Sequence, residues 1–226
     1  MQHHNLIPQL DAMIAERHLL KHPFYQDWTA GRLSLDALRE YAVQYYRHVE
    51  AFPRYLSALH SRCDDLCVRQ ALLANLIEEE RGEENHPELW LRFAEGLGVV
   101  RDRVTDALAN AATQKLVETY RRLTCEGRVA AGLAALYVYE AQIPAVATVK
   151  SDGLKRHYGI GSERTLAFFT THERADVYHA KTGAELIERL ATDDESRADV
   201  IAAADEALAA LWGMLDGVQS RASIAA

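Results

Sequence analysis

Residues 170–180 read T-T-H-E-R-A-D-V-Y-H-A and place His172, Asp176 and His179 at positions i, i+4 and i+7. In an α-helix, at about 100° per residue, three such side chains fall within an arc of roughly 60° on one face. Two imidazoles and a carboxylate on one stripe form a nitrogen and oxygen donor set. Such a set suits iron, manganese or zinc better than magnesium or calcium. The triplet also reads as an ordinary helix with two satisfied histidines and a surface aspartate, so the rest of the chain decides.

Working outward, helix formers dominate a chain of 226 residues that holds only 12 glycines and 5 prolines. Strand-like alternation does not persist, and no hairpin turn lies between two alternating runs. The expectation is all-α, a single helical domain over residues 1–226 with a frayed tail from about residue 219. Helices are expected from about residue 5 to 20, from Pro23 to near Gly31, and from the N-cap Ser34 to Leu59, with Pro53 kinking the last. Further helices should run from Asp65 into Glu78-Glu79-Glu80, then from Pro87 to about Leu97, after a break near Asn85. The remainder are expected from Thr113 to Leu123, from Gly127 through a bend at Pro144, from Ser162 to Leu190, and from Ala198 to Val218. The third helix carries a stripe of Tyr41, Tyr45 and His48, which either lines a cavity or sends its hydroxyls to the surface.

Composition removes several function classes. The net charge of -8 and the lack of a basic run argue against a nucleic-acid partner. The first ten residues show no secretory signal. The longest weakly charged run, residues 129–149, contains Glu140 and Pro144 and reads as a buried core helix, so no membrane partner is expected. Three sparse cysteines, Cys63, Cys67 and Cys125, suggest free thiols in a reducing cytoplasm.

Two further places carry ligand-type residues where a core helix has no need of them. Glu140 lies among Leu133, Leu136, Val138, Ile143 and Val146, where a carboxylate is costly unless paired or bound to metal. Glu79 follows the apolar face of Leu72, Leu76 and Ile77, and His86 lies at the break seven residues later. Glu78, Glu80 and Glu83 compete with Glu79 for the role. With the stripe, these make Glu79, His86, Glu140, His172, Asp176 and His179: three carboxylates and three histidines from three helical segments. Three carboxylates largely offset the charge of two divalent ions, and helix bundles build dinuclear carboxylate sites from inward-facing residues.

The string Glu78-Glu79-Glu80-x-Gly82-x-x-x-His86-Pro87-Glu88-Leu89-Trp90, the pair Tyr139-Glu140 before Pro144, and His172-x3-Asp176-x2-His179 resemble the heme-oxygenase-like diiron oxidases, and more closely their CADD-like branch. The resemblance spans roughly residues 24–181. It implies a heme-oxygenase-like bundle of about seven to eight helices, shared with the TenA thiaminases and the quinone synthase PqqC. It implies a pair of transition-metal ions, iron with iron or iron with manganese, together with dioxygen and an external reductant. It also implies synthesis of para-aminobenzoate for folate, with a tyrosine of the protein as aromatic source and a lysine as amino donor. The matching positions are Tyr25 and Lys150, with Tyr41 as the second active-site tyrosine. On residues alone, Tyr25 is a packed aromatic and Lys150 a solvated lysine. An unidentified electron donor and a homodimer complete the expected partners. The competing readings are a cofactor-free enzyme of the PqqC or TenA kind and a helical interaction module with structural zinc. The complete six-ligand set argues against the first. The absence of cysteine near the stripe argues against the second.

Overall fold

In the computed structural model, which describes residues 6–224 and side chains to residue 220, the helices start where side-chain oxygens meet otherwise unpaired N–H groups. The Ala37 N–H donates to Ser34 Oγ (3.1 Å), that of Glu88 to Asn85 Oδ1 (3.0 Å), that of Thr113 to Asn110 Oδ1 (2.8 Å) and that of Thr165 to Ser162 Oγ (3.2 Å). Each cap satisfies one of the donors a helix leaves orphaned at its first turn.

The resulting order is α1 (Leu6–Glu16), α2 (Pro23–Thr29), α3 (Leu35–Arg62), α4 (Leu66–Glu80), α5 (His86–Gly96), α6 (Arg101–Thr105), α7 (Ala111–Cys125), α8 (Val129–Glu140), α9 (Ile143–Tyr158), α10 (Glu163–Leu190) and α11 (Asp194–Ile224). No strand occurs among the described residues. The fold is all-α as expected, but the eleven segments exceed the expected seven to eight. Part of the excess is α6, a five-residue helix too short to carry a period. Part is the separation of α8 from α9, which reads in sequence as one bent helix. The first helix stops at Glu16, and residues Leu19–Lys21 form a 3-10 turn, its Leu19 N–H donating to Gln142 Oε1 at 2.8 Å. The last helix continues to Ile224, past the expected end at Val218. Asn5, where the first helix was expected to begin, and the last two residues lie outside the described part. Pro53 sits inside an uninterrupted α3.

The core is organised on α8, whose residues 130–140 are all buried. Its alanines and Gly132 let neighbours approach closely: a Cβ at Gly132 would stand 2.5 Å from Leu59 Cδ2 and 2.9 Å from the Leu123 carbonyl. Helices α3, α7, α10 and α11 pack around it. The segment Val129–Tyr158 is long and apolar enough to cross a membrane, but 78% of that apolar window is buried within the bundle, as befits a core helix. Glu140 is the final residue of α8 and so delivers a carboxylate to the interior end of that core.

All three cysteines are free, Cys63 buried and Cys67 and Cys125 exposed. Three thiols should therefore titrate in denaturant without reductant. A count of one would indicate a bridge between Cys63 and Cys67.

Candidate metal centre and aromatic site

Four helices converge on one buried cluster. Glu79 comes from the last turn of α4, His86 opens α5, Glu140 ends α8, and α10 supplies His172, Asp176 and His179. All six side chains are buried, at 3–5% exposure. Within the Glu78-Glu79-Glu80 run only Glu79 turns inward, and Glu83 is exposed as well. The ligand atoms form two groups, Glu79 with His86 and His172, and Glu140 with Asp176 and His179, each within 4.8 Å.

The contacts inside these groups suit a cation. His86 Nδ1 lies 2.8 Å from Glu79 Oε2, and His179 Nδ1 lies 3.4 Å from Asp176 Oδ1 and 3.9 Å from Glu140 Oε1. Yet His86 Nδ1, both ring nitrogens of His179 and Asp176 Oδ2 make no aligned hydrogen bond. Buried polar atoms that crowd together without hydrogen bonds are costly, and a metal is the usual remedy. His172 Nδ1 lies 2.7 Å from the Phe168 carbonyl. Donation by Nδ1–H fixes the tautomer and leaves Nε2 as a free lone pair. Phe168 also stacks on the His172 ring at 4.0 Å between centroids.

Electrostatics agree. Burial, and then the neighbouring Asp176 carboxylate, push the Glu140 carboxyl up to about 8. Burial also raises Asp176 to about 6, with the Glu79 charge adding to it. Against burial, which lowers it, the Asp176, Glu140 and Glu78 carboxylates raise His179 to about 9, so without metal the histidines supply the balancing positive charge, a place that a divalent ion would take over. Asn75 Nδ2 donates to Glu140 Oε1 at 2.9 Å. The sequence reading missed Asn75, although it stands four residues before Glu79 and so on the same helix face. Glu78, half exposed, approaches His179 Nε2 at 3.2 Å.

The three residues expected from the resemblance meet in one place. Lys150 Nζ donates to Tyr41 Oη at 2.7 Å, and the Tyr41 and Tyr25 hydroxyls share a hydrogen bond of 2.9 Å. Lys150 is buried rather than solvated, which corrects the reading from residues alone. Its ammonium lies 5.1–5.7 Å from the ring centres of Tyr25, Tyr41, Tyr45, Trp90 and Phe169. Burial lowers its pKa to about 7, while the ring faces favour the cation, so both charge states are accessible near neutrality. Burial pushes the Tyr25 and Tyr41 phenols well above their usual value.

A chain of phenols links the two clusters. Tyr41 stacks on Tyr45 at 5.2 Å, and the Tyr45 hydroxyl donates to Tyr139 Oη at 2.8 Å. Tyr139 borders a void of about 10 Å³ together with Glu79, His172 and Asp176. The α3 stripe does not send its hydroxyls to the surface, since Tyr41, Tyr45 and His48 are all buried, and it packs against other rings where a cavity lining was the other reading. Burial lowers His48 to about 3, so it is a neutral packing residue. In the sequence Tyr139 stands out only as the neighbour of Glu140, because no local pattern marks its contact with α3.

A family model described as iron-containing redox enzyme matches residues 39–212, a span that includes all six ligands, Tyr41 and Lys150 but not Tyr25. The chain is similar to the 4-aminobenzoate synthase of Chlamydia muridarum, 45% identical over 212 residues that cover 94% of this chain and 89% of the relative. Among solved structures it is similar to a domain of unknown function with a heme oxygenase-like fold from Shewanella denitrificans, with a TM-score of 0.78, 18% identity and coverage of 98% and 93%. A CADD-like protein of unknown function from Nostoc punctiforme superposes with a TM-score of 0.77 at 20% identity, with coverage of 96% of each chain. The fold is therefore heme-oxygenase-like.

The buried amine has a pH signature. Below pH 7 Lys150 carries its proton both folded and unfolded, and the whole penalty of burying the charge opposes folding. Between about 7 and 10.5 the unfolded chain still holds a proton that the folded chain has released, so stability rises with pH. Denaturant titrations of metal-free protein should show wild type gaining on Lys150→Met by up to about 1.4 kcal/mol per pH unit through this window. A flat difference would mean that the amine reaches water.

Proposed function

The chain belongs to the family of iron-containing redox enzymes, and on that footing we propose that it is a dioxygen-dependent dinuclear-metal enzyme that makes 4-aminobenzoate from its own Tyr25. The observation that carries this reading is the buried hydrogen-bonded set of Tyr25, Tyr41 and Lys150, joined through Tyr45 and Tyr139 to the six-ligand cluster. The name of the relative from Chlamydia muridarum supports the product.

Glu79, His86 and His172 would hold one metal ion, and Glu140, Asp176 and His179 the other. Iron with iron or iron with manganese, given electrons by an external donor, would supply the redox chemistry that reduces dioxygen and oxidises an aromatic ring. Oxygen ligands on both ions favour these metals over a structural zinc, which takes four ligands and commonly cysteines.

The remaining work falls to the chain. Tyr25, 1% exposed, is held by Phe24, Trp28 and Tyr41, so its ring stays away from water. Its phenol does not ionise unaided, because burial disfavours the phenolate. An electron leaving the Tyr25 ring must therefore be accompanied by a proton. Tyr41 relays that proton and neutral Lys150 accepts it, both within hydrogen-bond reach. The Tyr45 and Tyr139 rings give the electron a path toward the metal ligands. A tyrosine side chain already bears a carbon para to its hydroxyl. Conversion to 4-aminobenzoate needs that carbon cut from the backbone and oxidised to a carboxyl, and the hydroxyl exchanged for an amine. The Lys150 nitrogen, desolvated and in part uncharged at neutral pH, is the nitrogen source. Holding ring and amine in one fold removes the entropic cost of capturing them. The three free thiols support a reducing, cytoplasmic setting.

Protein from iron-rich growth should contain about two transition metals per chain. His172→Ala or Asp176→Ala should remove at least one by elemental analysis. Full metal content in both variants would reject the assigned ligands.

For the reaction, protein made with heavy-carbon tyrosine is loaded with iron, reduced and exposed to dioxygen. Labelled 4-aminobenzoate should appear at no more than one per chain, with a matching mass loss at Tyr25, and Tyr25→Phe should release none. Unlabelled product or repeated turnover would point to an external substrate.

A further inference from the structure

A narrow slot of about 40 Å³ runs between α4 and α10 down to Glu140 and His179. Its depth is lined by buried Leu56, Leu72, Leu133 and Leu136, and its outer part by half-buried Ala71 and Gly183. It therefore leads from the protein surface, through hydrocarbon, to two ligands of a single metal group, the one that also contains Asp176. The other group, Glu79 with His86 and His172, does not border it. Neither Tyr25 nor Lys150 does.

We propose that this slot is a binding site and inlet for dioxygen, which delivers the gas to the Glu140, Asp176 and His179 side of the centre. The proposal rests on the dioxygen-dependent reading above and adds the route and the end at which the gas arrives.

Size selects the occupant. About 40 Å³ admits roughly three water-sized spheres, whereas a benzene ring occupies a cavity of about 150 Å³. An aromatic acid is therefore excluded and a diatomic molecule fits. Leu56, Leu72, Leu133, Leu136 and Leu186 make most of its wall apolar, which favours an apolar gas. Asn75, Glu140 and His179 make its inner end polar, and Tyr178 and Thr182 stand on the α10 side. Dioxygen is apolar and prefers hydrocarbon to water. Asn75, the polar side chain on the α4 wall, commits an amide N–H to Glu140 and so is turned toward the ligand. Small residues keep the slot open. Gly183 lies in a helix without positive φ, and a Cβ there would meet only Tyr137, at an ordinary 3.7 Å. Neither backbone geometry nor close packing requires glycine at that position, and with Ala71 and Ala74 it adds little bulk to the wall.

The test uses xenon as an inert probe of the slot and dioxygen as the reactant. Xenon under pressure should occupy crystals of the wild-type protein between Leu56, Leu133 and Leu136. Ala71→Phe, from the half-buried part of the wall, and Ala74→Phe, from its exposed part, should each exclude xenon. The second variant serves where the first does not fold. Both should keep the wild-type iron content, while the bimolecular rate at which dioxygen oxidises the ferrous-loaded protein falls at least about tenfold, which is a barrier about 1.4 kcal/mol higher. No xenon in the wild-type slot, or plugged variants oxidised at the wild-type rate, would overturn the inlet and leave the proposed function standing. Ferrous-loaded wild type that dioxygen does not oxidise, even with xenon in the slot, would overturn both.

Discussion

Three carboxylates gathered inside an apolar bundle repel one another, and only Asn75 and the neighbouring histidines offset that repulsion from within the chain. Glu79, Glu140 and Asp176 are each less than 5% exposed. Polar atoms of His86, His179 and Asp176 lie close to opposite charge without aligned hydrogen bonds, which leaves them suited to a metal. Divalent cations bound there would turn that repulsion into coordination. The rest of the structure serves the arrangement. The caps fix where helices begin, the break at Asn85 lets His86 face back toward Glu79, and α8 ends where its carboxylate is needed.

The interior is divided between two kinds of chemistry. On one side stand hard donors for metal. On the other stands an amine enclosed by five aromatic rings, where burial and ring faces oppose each other and leave the proton loosely held. Tyrosines at four-residue spacing on α3 bridge the two, because positions 41 and 45 share a helix face and α8 brings Tyr139 to meet the second of them. Separation matters for an oxidising centre. Tyr139 borders the ligands, whereas the Lys150 amine bonds to Tyr41 at the other end of the phenol chain.

What could be read from the chain followed from periodicity and local chemistry. His172, Asp176 and His179 declare themselves because a helix repeats, and Glu140 because a carboxylate in an apolar run needs a reason. Ser34 and Ser162 mark helix starts through cap chemistry that is local by nature, whereas Asn85 was legible only as a break before Pro87 and proves to be the cap of α5. Choosing Glu79 over Glu78 or Glu80 required knowing which side of α4 meets the bundle, and α4 is apolar on more than one face: Leu73 and Ile77 are exposed while Leu72 is buried. Lys150 and Tyr25 lie far apart in sequence, and their meeting depends on how α9 passes α2, which no local pattern encodes. Helix α6 and the Leu19–Lys21 turn were beyond reach because one turn of helix carries no period.

The packing of Tyr25 carries a consequence for the life of the molecule. Its ring belongs to the same aromatic cluster as Phe24, Trp28 and Tyr41, which anchors the seven-residue α2 to the bundle. Loss of a large buried aromatic leaves a void that costs about 3–5 kcal/mol, against a total stability of about 5–15 kcal/mol for a typical domain. A chain that has given up this ring would sit close to its unfolding threshold, with an emptied cage around what remains of Lys150. If the proposed reaction consumes Tyr25, the protein would be a reagent that expires with use, and the vacancy left by its one reaction would expose it to cellular proteases. Supply of the product would then follow the rate of protein synthesis instead of the rate of a catalytic cycle.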